Sequence, residues 1–556
     1  MGFSLVIKEN VKQVIKENVK HALSWRPKRE HFWRYAFMIF CWVCLLFSCQ
    51  KAWHEIHGRL YYLLDSDMAS EIMLAYKLRI EHKLITSTWF YSTELRVFNT
   101  QLVFTPLLFL CENWRTVREM GTAIILLSML ASCLYFCYQA GITTLFPAIA
   151  TMLITPMSDP YFKILLLGAY YPPHVIGSFL CLGMIFHYIK APKRRTRIAL
   201  LLVLTLFSLV LGMGGLRQIL ILYIPLLLTV IFMSLIRSSS KCSTVLPQLD
   251  CGGKRLLLSG VLSCAGAVAG WQVNAQVLRH IFHYTSQEGV KFQGYSNEQL
   301  AKIISGWMES FGYRGGDYIT SKVLFYNAFC FLALLIVLAA YISLIRRPSC
   351  YTFAEKVIFL VAGFGFITYN GLYLFTDMVY YTRYNIPTVI LLMPVAAIYL
   401  YRLPLCRILR GAMFALMAGL MLWCACDYYE ELWPVNLTSN YEQAVAAIQA
   451  AGYQEGYATF WNANVMTELT NGALDIRVWN PTDVLDDPDH LYQWLQSTDH
   501  FETQPDGPVF IFVQKEELNT ILSNFTLTEG STLFENDNYI AYGYSSYDAM
   551  RTDFYD

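Results

Sequence analysis

Three carboxylates fall within seven residues of the stretch YYLLDSDMASE (61–71): Asp65, Asp67 and Glu71. A carboxylate at the edge of an apolar segment suits a general base or a metal ligand. Ser66 or Asp67 also suits the N-cap of a helix, where a side-chain oxygen accepts from the first free N–H groups. One cap needs one acceptor, so capping alone does not account for three acids. Farther along, cations stand in short polar breaks between apolar runs: Arg217 in GMGGLRQ, Arg383 in TDMVYYTRYN, and His174 after AYYPP. If the runs between them cross a bilayer, these groups share one membrane surface with Tyr91, Glu94, Arg96, Asp159, Tyr170, Tyr171, Asp377, Tyr380 and Tyr381. A carboxylate beside guanidinium groups fits chemistry in which an acceptor loses a proton while an anionic group is held. The plainer readings are that Arg217 and Arg383 snorkel or pair with Asp377 or Glu94, that His174 is an interfacial hydrogen-bonding residue, and that the tyrosines form an aromatic belt.

The elements that must position these groups are apolar and long. The chain has 556 residues, 55% hydrophobic and only 15% charged, which excludes an ordinary soluble protein and gives an α-helical polytopic membrane protein. Runs long enough to cross the hydrocarbon lie at 32–52, 97–112, 120–139, 173–190, 198–213, 218–236, 257–274, 321–345, 356–376, 385–401 and 411–426, about eleven crossings. Residues 141–172 are apolar but broken by Pro147 and Pro156. They read as outside or re-entrant half-helices lining a cavity, or as two further crossings that bring the total to thirteen. The acids of 61–71 then sit just outside the bilayer, followed by a membrane-surface helix over 68–84.

Charge orients the chain. From Asp427 onward there are 3 Lys+Arg against 22 Asp+Glu, whereas the preceding part carries 39 against 19. Basic clusters at Arg115/Arg118, 190–197, 237–255, Arg346/Arg347 and 402–410 all fall on the side of the N-terminus in this reading, which makes that side cytoplasmic. An odd number of crossings then places the acidic tail outside. Three divisions result: a basic cytoplasmic segment (1–31) built on the near-repeat VIKENVKQVIKENVK, a transmembrane domain (32–426), and an extracytoplasmic acidic α/β domain (427–556). The fifteen cysteines avoid this last domain, so it folds without disulfides. In it, YATFW, ALDIRVW, PVFIFVQ and YIAYGY read as strands, and YEQAVAAIQAAG, HLYQWLQ and KEELNTILSN as helices. It holds no nucleotide-binding Gly loop, CxxC or HExxH, and nothing points to nucleic acid. Recognition or covering of a site fits it better than catalysis.

The opening acids DSDMASE in a large outside loop, the YYPPH turn in mid-chain and the late YYTRYNIPTVILLMP resemble the GT-C membrane glycosyltransferases, which include protein O-mannosyltransferases and aminoarabinose transferases. GYATFWNANVMTELTNG resembles the extracytoplasmic domain of bacterial members. The likeness implies transfer of a sugar from a polyprenyl-phosphate carrier to an acceptor outside the plasma membrane: a cell-envelope glycan, a lipid or a protein. It implies that Asp65 or Asp67 is the acceptor base. Carrier phosphate and substrate would be contacted by Arg217, Arg383, His174, Tyr171, Tyr381 and Glu71. Some members use a divalent metal and others none, and no His/Glu cluster decides between them here. A single displacement inverts the anomeric centre; a double displacement needs a carboxylate nucleophile, for which Glu71 is the nearby candidate.

The competing classes are a transporter, flippase or polysaccharide polymerase, and a membrane assembly scaffold. A secondary transporter should show internal repeats and midplane charges, and the sequence shows neither. The sequons at Asn436 and Asn524 are short patterns that arise readily by chance. The topology has a direct test: a single cysteine introduced at position 450 should react with an impermeant thiol reagent in intact cells, and labelling only after lysis would overturn it.

Overall fold

The computed structural model describes residues 29–95, 97–239, 251–284, 290–316, 321–480, 491–521 and 528–553. The Lys-rich repeat, Arg96 and the Asn524 sequon lie outside the described residues.

The chain begins with α1 (Arg29–Arg59), continues through a 3₁₀ turn into α2 (Ser66–Glu81), and then forms a two-residue strand β1 (Trp89–Phe90). The helices α3 (Gln101–Leu110), α4 (Trp114–Ala140), α5 (Phe146–Ile154), α6 (Pro172–Lys190) and α7 (Arg194–Met213) follow. After a π-helical turn at Ile219–Tyr223 come α8 (Ile224–Ser239), α9 (Cys251–Gln276), α10 (Asn297–Ser310), α11 (Val323–Arg346), α12 (Phe353–Phe375), α13 (Ile386–Arg402) and α14 (Arg407–Leu432). Ten helical stretches among the described residues are long and apolar enough to cross a membrane, which makes this a multi-pass membrane protein.

Side-chain contacts define the two ends of the bundle. At one end the Arg59 guanidinium donates to the carbonyls of Leu432, Trp433 and Val435, and the Tyr428 hydroxyl donates to Asp159 at 2.8 Å. At the other, Phe37 meets Tyr401, Arg255 donates to the Ile189 carbonyl at 2.5 Å, and Arg402 pairs with Glu355 at 2.9 Å. The expected crossing at 97–112 does not occur. Helix α3 has ten residues, about 15 Å of helix, and both its ends stay at the first end of the bundle. Gln101 bonds Glu71 at its start, and Trp114, just past it, bonds Asn471. The missing traverse is supplied by 142–158, built on α5. This segment runs from Gly141, beside the Lys190 ammonium, to Asp159 at the opposite end. It is one net passage, where the sequence suggested half-helices or a pair of crossings. Among the described residues the chain therefore changes ends eleven times, in a different order from the one expected. Arg115 and Arg118 consequently leave the set of basic residues grouped with the N-terminus. They lie at the end that carries the last domain.

Helix α14 runs to Leu432, past Asp427, which accepts from Lys322 at 2.5 Å and from the Tyr326 hydroxyl. Beyond it come α15 (Ser439–Ala450), β2 (Glu455–Thr459), α16 (Phe460–Leu469), β3 (Asp475–Trp479), β4 (Gln496–Ser497), β5 (Val509–Gln514), β6 (Ser531–Glu535) and β7 (Tyr539–Tyr544). Five of these strands form a mixed sheet in the order β3-β2-β5-β7-β6, with β3, β2 and β5 parallel and β7 antiparallel to both neighbours. The run VFIFV of β5 is fully buried, as a central strand covered on both faces requires. Phe460 and Trp461 open a helix instead of ending a strand. HLYQWLQ is not helical where described, since Gln496 belongs to β4.

The domain is joined to the first loop by backbone pairing: β1 runs antiparallel to β4, with Trp89 opposite Ser497. Helix α2 is no surface helix. Met68, Ala69, Ile72, Leu74 and Ala75 are buried because α3 covers one side and α16 another. The strongest link is ionic. Arg118 and Glu468 have fully buried side chains and pair through two hydrogen bonds of 2.5 and 2.6 Å, while the same guanidinium donates to the Met68 carbonyl of α2 at 2.6 Å. Removing one partner of such a pair strands a charge and typically costs about 3–5 kcal/mol, whereas an apolar pair of similar volume is tolerated. Glu468→Leu or Arg118→Met alone should lower the thermal unfolding midpoint of the purified protein in detergent, and the double variant should recover most of the loss. A double variant no better than the singles would contradict this account.

Candidate active site at the rim of the bundle

Asp65 ends the turn after α1 in extended conformation and caps α2, its Oδ1 accepting from the Met68 N–H at 2.8 Å. The cap therefore falls on Asp65, one position before the residues expected to provide it. The Tyr170 hydroxyl donates to the same Oδ1 at 3.1 Å, so Oδ2 has no hydrogen-bond partner among the described residues. Burial pushes the Asp65 carboxyl above its ordinary range, against the pull of the Met68 N–H, the Tyr170 hydroxyl, and the charges of Arg118 and Lys163. This is a carboxylate with one oxygen fixed, the other open, and an increased affinity for a proton. Asp67 sits half-buried two residues on, in the first turn of α2, where its charge suits the positive end of the helix dipole. Glu71 is only 2% exposed and accepts from Thr100 and, at 2.7 Å, from Gln101. It joins α2 to α3 from inside.

Tyr170 reaches Asp65 from an irregular turn. A π-helical stretch at Phe162–Leu167 precedes Gly168, where an added Cβ would lie 2.3 Å from the Tyr170 ring. Next comes Ala169, fully buried with φ 55°, a left-handed conformation unfavourable for any residue with a Cβ. That turn sends the adjacent tyrosines to two different partners. Tyr170 bonds Asp65; Tyr171, 4% exposed, lies against His174 and under the Arg217 guanidinium, whose carbon is 5.2 Å from the ring centre.

Arg217 follows Gly215, whose φ of 129° is open to glycine, and precedes the π-helical turn that leads into α8. Its Nε lies 2.7 Å from Glu94 Oε1, and His174 approaches the other Glu94 oxygen at 3.5 Å while its Nδ1 meets Gln218 at 3.0 Å. Of the two pairings considered for Arg217, Glu94 is the one formed; Asp377 instead accepts from the Lys291 backbone at 2.8 Å. Arg383, in the 3₁₀ turn before α13, has no carboxylate partner among the described residues. Its guanidinium is held over Tyr381 and Tyr384, at 5.0 and 5.6 Å, and Tyr384 stacks on Tyr373. Tyr381 is half exposed at the rim. The charges of Arg217 and Arg383 both act on Tyr171, whose hydroxyl burial pushes up.

The groups thus fall on two sides of the Tyr170–Tyr171 dipeptide, with Asp65 on one and Arg217, Glu94, His174 and Arg383 on the other. Among the described residues, no three His, Cys, Asp or Glu side chains converge in a way that would hold a metal ion. The sequence did not point to Tyr384 or Tyr373, nor to the pair Arg118–Glu468 that supports α2 beneath Asp65. Its available signals were the doubled tyrosines of YYTRYN and the acid of MTELTNG.

No family model matches the sequence, and no curated protein matches it. Solved structures do. The crystal structure of ArnT from Cupriavidus metallidurans in the apo state is similar over 90% of this chain and 97% of that one, with 10% identity and a TM-score of 0.54. The structure of the same protein bound to undecaprenyl phosphate matches equally. The Archaeoglobus fulgidus oligosaccharyltransferase overlaps 85% of this chain and 68% of its own, at 9% identity and a TM-score of 0.45. Over 90% of its length the chain shares its fold with the ArnT structure.

Proposed function

We propose that the protein is a membrane glycosyltransferase that moves a sugar from a polyprenyl-phosphate-linked donor to an acceptor outside the membrane, a cell-envelope glycan, lipid or protein. One observation supports the reading: a carboxylate with an open oxygen and an arginine with no anionic partner among the described residues stand on either side of one tyrosine pair at the rim of a bundle with the ArnT fold. In the reaction, Asp65 Oδ2 takes the proton of the acceptor hydroxyl as its oxygen attacks the anomeric carbon. The bond from that carbon to the phosphate oxygen breaks, and its electron pair leaves with the phosphate. Arg383 and Arg217 stabilise the charge that develops there. A single displacement of this kind inverts the anomeric centre. His174, Tyr171 and Tyr381 position the leaving group, and Glu71 supports α2. No step is assigned to a metal.

A lipid carrier needs an apolar path to that phosphate. A groove of about 1040 Å³ runs between α11 and α12, walled by Leu334, Leu338, Phe359 and Ile367 and lined toward the rim by Trp307 and Phe311. Trp307 and Phe311 flank the segment of α10 that packs on the turn bearing Arg383: Gly306 lies against Tyr380, and Ser310 bonds Asn385 at 3.2 Å. The undecaprenyl phosphate in the similar ArnT structure supports a carrier of this class. The orientation proposed is cytoplasmic for the end with Lys190, Arg255, Arg347 and Arg407, and extracytoplasmic for the end with the terminal domain.

Asparagine still caps a helix, so Asp65→Asn should keep the fold and polyprenyl-phosphate binding while lowering turnover by about 10² to 10⁴. Asp67→Asn should cost less. Full turnover by the double variant in an assay with cognate donor and acceptor would refute the base. A base must be deprotonated to act, so kcat/KM should fall as pH drops through the raised Asp65 pKa. Tyr170→Phe removes a hydrogen bond that favours the carboxylate and should move this acid limb to higher pH. For the phosphate, Arg217→Ala and Arg383→Ala should each weaken polyprenyl-phosphate binding, with Lys restoring it only in part because it lacks the bidentate fork. Unchanged affinity in both alanine variants would remove these residues from the site.

A further inference from the structure

An arginine that is to hold a phosphate cannot also keep a carboxylate, and Arg217 has one: its Nε lies 2.7 Å from Glu94 Oε1. Glu94 is itself shared. Its Oε2 lies 3.5 Å from His174 Nε2, and all three side chains are a quarter exposed or less. Together with Gln218 they line a cavity of about 20 Å³, room for roughly one water molecule and too little for a phosphate beside the carboxylate. The neighbours of His174 fix which of its nitrogens carries a proton. Ser178 Oγ donates to the His174 carbonyl at 2.9 Å, so its lone pairs accept from Gln218 Nε2 at 3.0 Å. This turns Gln218 Oε1, an acceptor, toward His174 Nδ1 at 3.0 Å. Nδ1 must therefore donate, and Nε2 is the nitrogen that gains or loses a proton. That nitrogen is the one facing Glu94.

With His174 Nε2 unprotonated, the charges of Glu94 and Arg217 cancel. With it protonated, the three groups carry a net positive charge and Glu94 has a second cation to turn to. We propose that Glu94 is a positioning residue that holds Arg217 until the carrier phosphate displaces it, and that His174, taking up a proton at Nε2, receives the displaced carboxylate. The proposal rests on the reading of Arg217 as a phosphate ligand. A solvent proton passes to Nε2, the carboxylate moves from guanidinium to imidazolium, and a phosphate oxygen takes its place on the guanidinium. The other ionisable groups that face the cluster are Tyr171 before α6, Tyr369 and Tyr373 on α12, and Tyr384 and Arg383 on the turn before α13. Phenols and guanidinium groups ordinarily titrate well above neutrality, and carboxylates well below it. Imidazole is the side chain whose charge ordinarily changes between about pH 5 and 8. Because the bound anion favours the protonated imidazole, binding should be strongest at low pH and weaken as the pH rises.

The test is calorimetry of the full-length protein in detergent with farnesyl methyl phosphate, a phosphodiester that keeps one negative charge throughout the range. Titrations between about pH 5 and 8 in buffers of different ionisation enthalpy count the protons exchanged. The wild-type protein should take up as much as one proton per ligand, with affinity falling by up to about tenfold per pH unit as the imidazole titrates. His174→Gln should abolish the uptake and flatten the profile. Glu94→Gln removes the competing charge and keeps the bulk, so it should tighten binding at about pH 8 by about three- to tenfold. Three results would each overturn the proposal: no proton uptake by the wild-type protein, a measurement that needs no variant; uptake that persists in His174→Gln; or weaker binding in Glu94→Gln, which would make Glu94 a fixed part of the phosphate site. Arg217→Ala separates the two levels. Unchanged affinity there removes the phosphate site itself, whereas weakened affinity together with any of the three results removes only the displacement of Glu94 and its proton.

Discussion

The pairing of Arg118 with Glu468 is the contact on which the rest of the rim depends. A guanidinium at the end of a bundle helix needs a counter-charge once it is removed from water, and the terminal domain provides it from a helix 350 residues later. Because the same group donates to the Met68 carbonyl, the pair also fixes the start of α2, three residues from the carboxylate proposed as base. A charge that would be a liability in isolation thus sets the position of Asp65 relative to both the membrane helices and the sheet domain.

The second constraint is backbone strain. Phe162–Leu167 is π-helical, Gly168 yields space to an aromatic ring, and Ala169 takes a left-handed conformation in the interior. Such features persist where the surroundings over-determine them, and here they divide two neighbouring tyrosines between a carboxylate and a guanidinium. A regular helix would carry Tyr170 and Tyr171 about 100° apart around a single axis, with no means of sending one toward α2 and the other toward Arg217.

Hydrophobic runs and charge asymmetry made the membrane class, the last domain and the rim residues legible in the sequence, because the bilayer imposes length and polarity directly on the chain. The order of traverses was not legible. The 97–112 run is as apolar as a crossing, yet it folds as a ten-residue helix that never leaves the rim, whereas the proline-broken 142–158 makes the passage, lined by neighbours that satisfy it. Arg115 and Arg118 were misplaced with it, since positive-inside counting treats every arginine as exposed and Arg118 is buried against an acid that only the tertiary fold brings near. Asp65 was singled out by type and position. That its two oxygens differ, one bonded and one open, follows from Tyr170 arriving from 105 residues away.

The separation of Arg118 from Glu468 also sets a schedule for biosynthesis. At about 5–20 residues per second, roughly 20 to 70 s pass between synthesis of the arginine and of its partner. Throughout that interval α4 is held at the membrane with an uncompensated charge at its mouth, and α2 has no cover on the side that α16 will occupy. The nascent bundle therefore waits with its rim open. Closure comes as a late docking event, so a chain truncated before α16 has every membrane helix and still lacks the cover of α2.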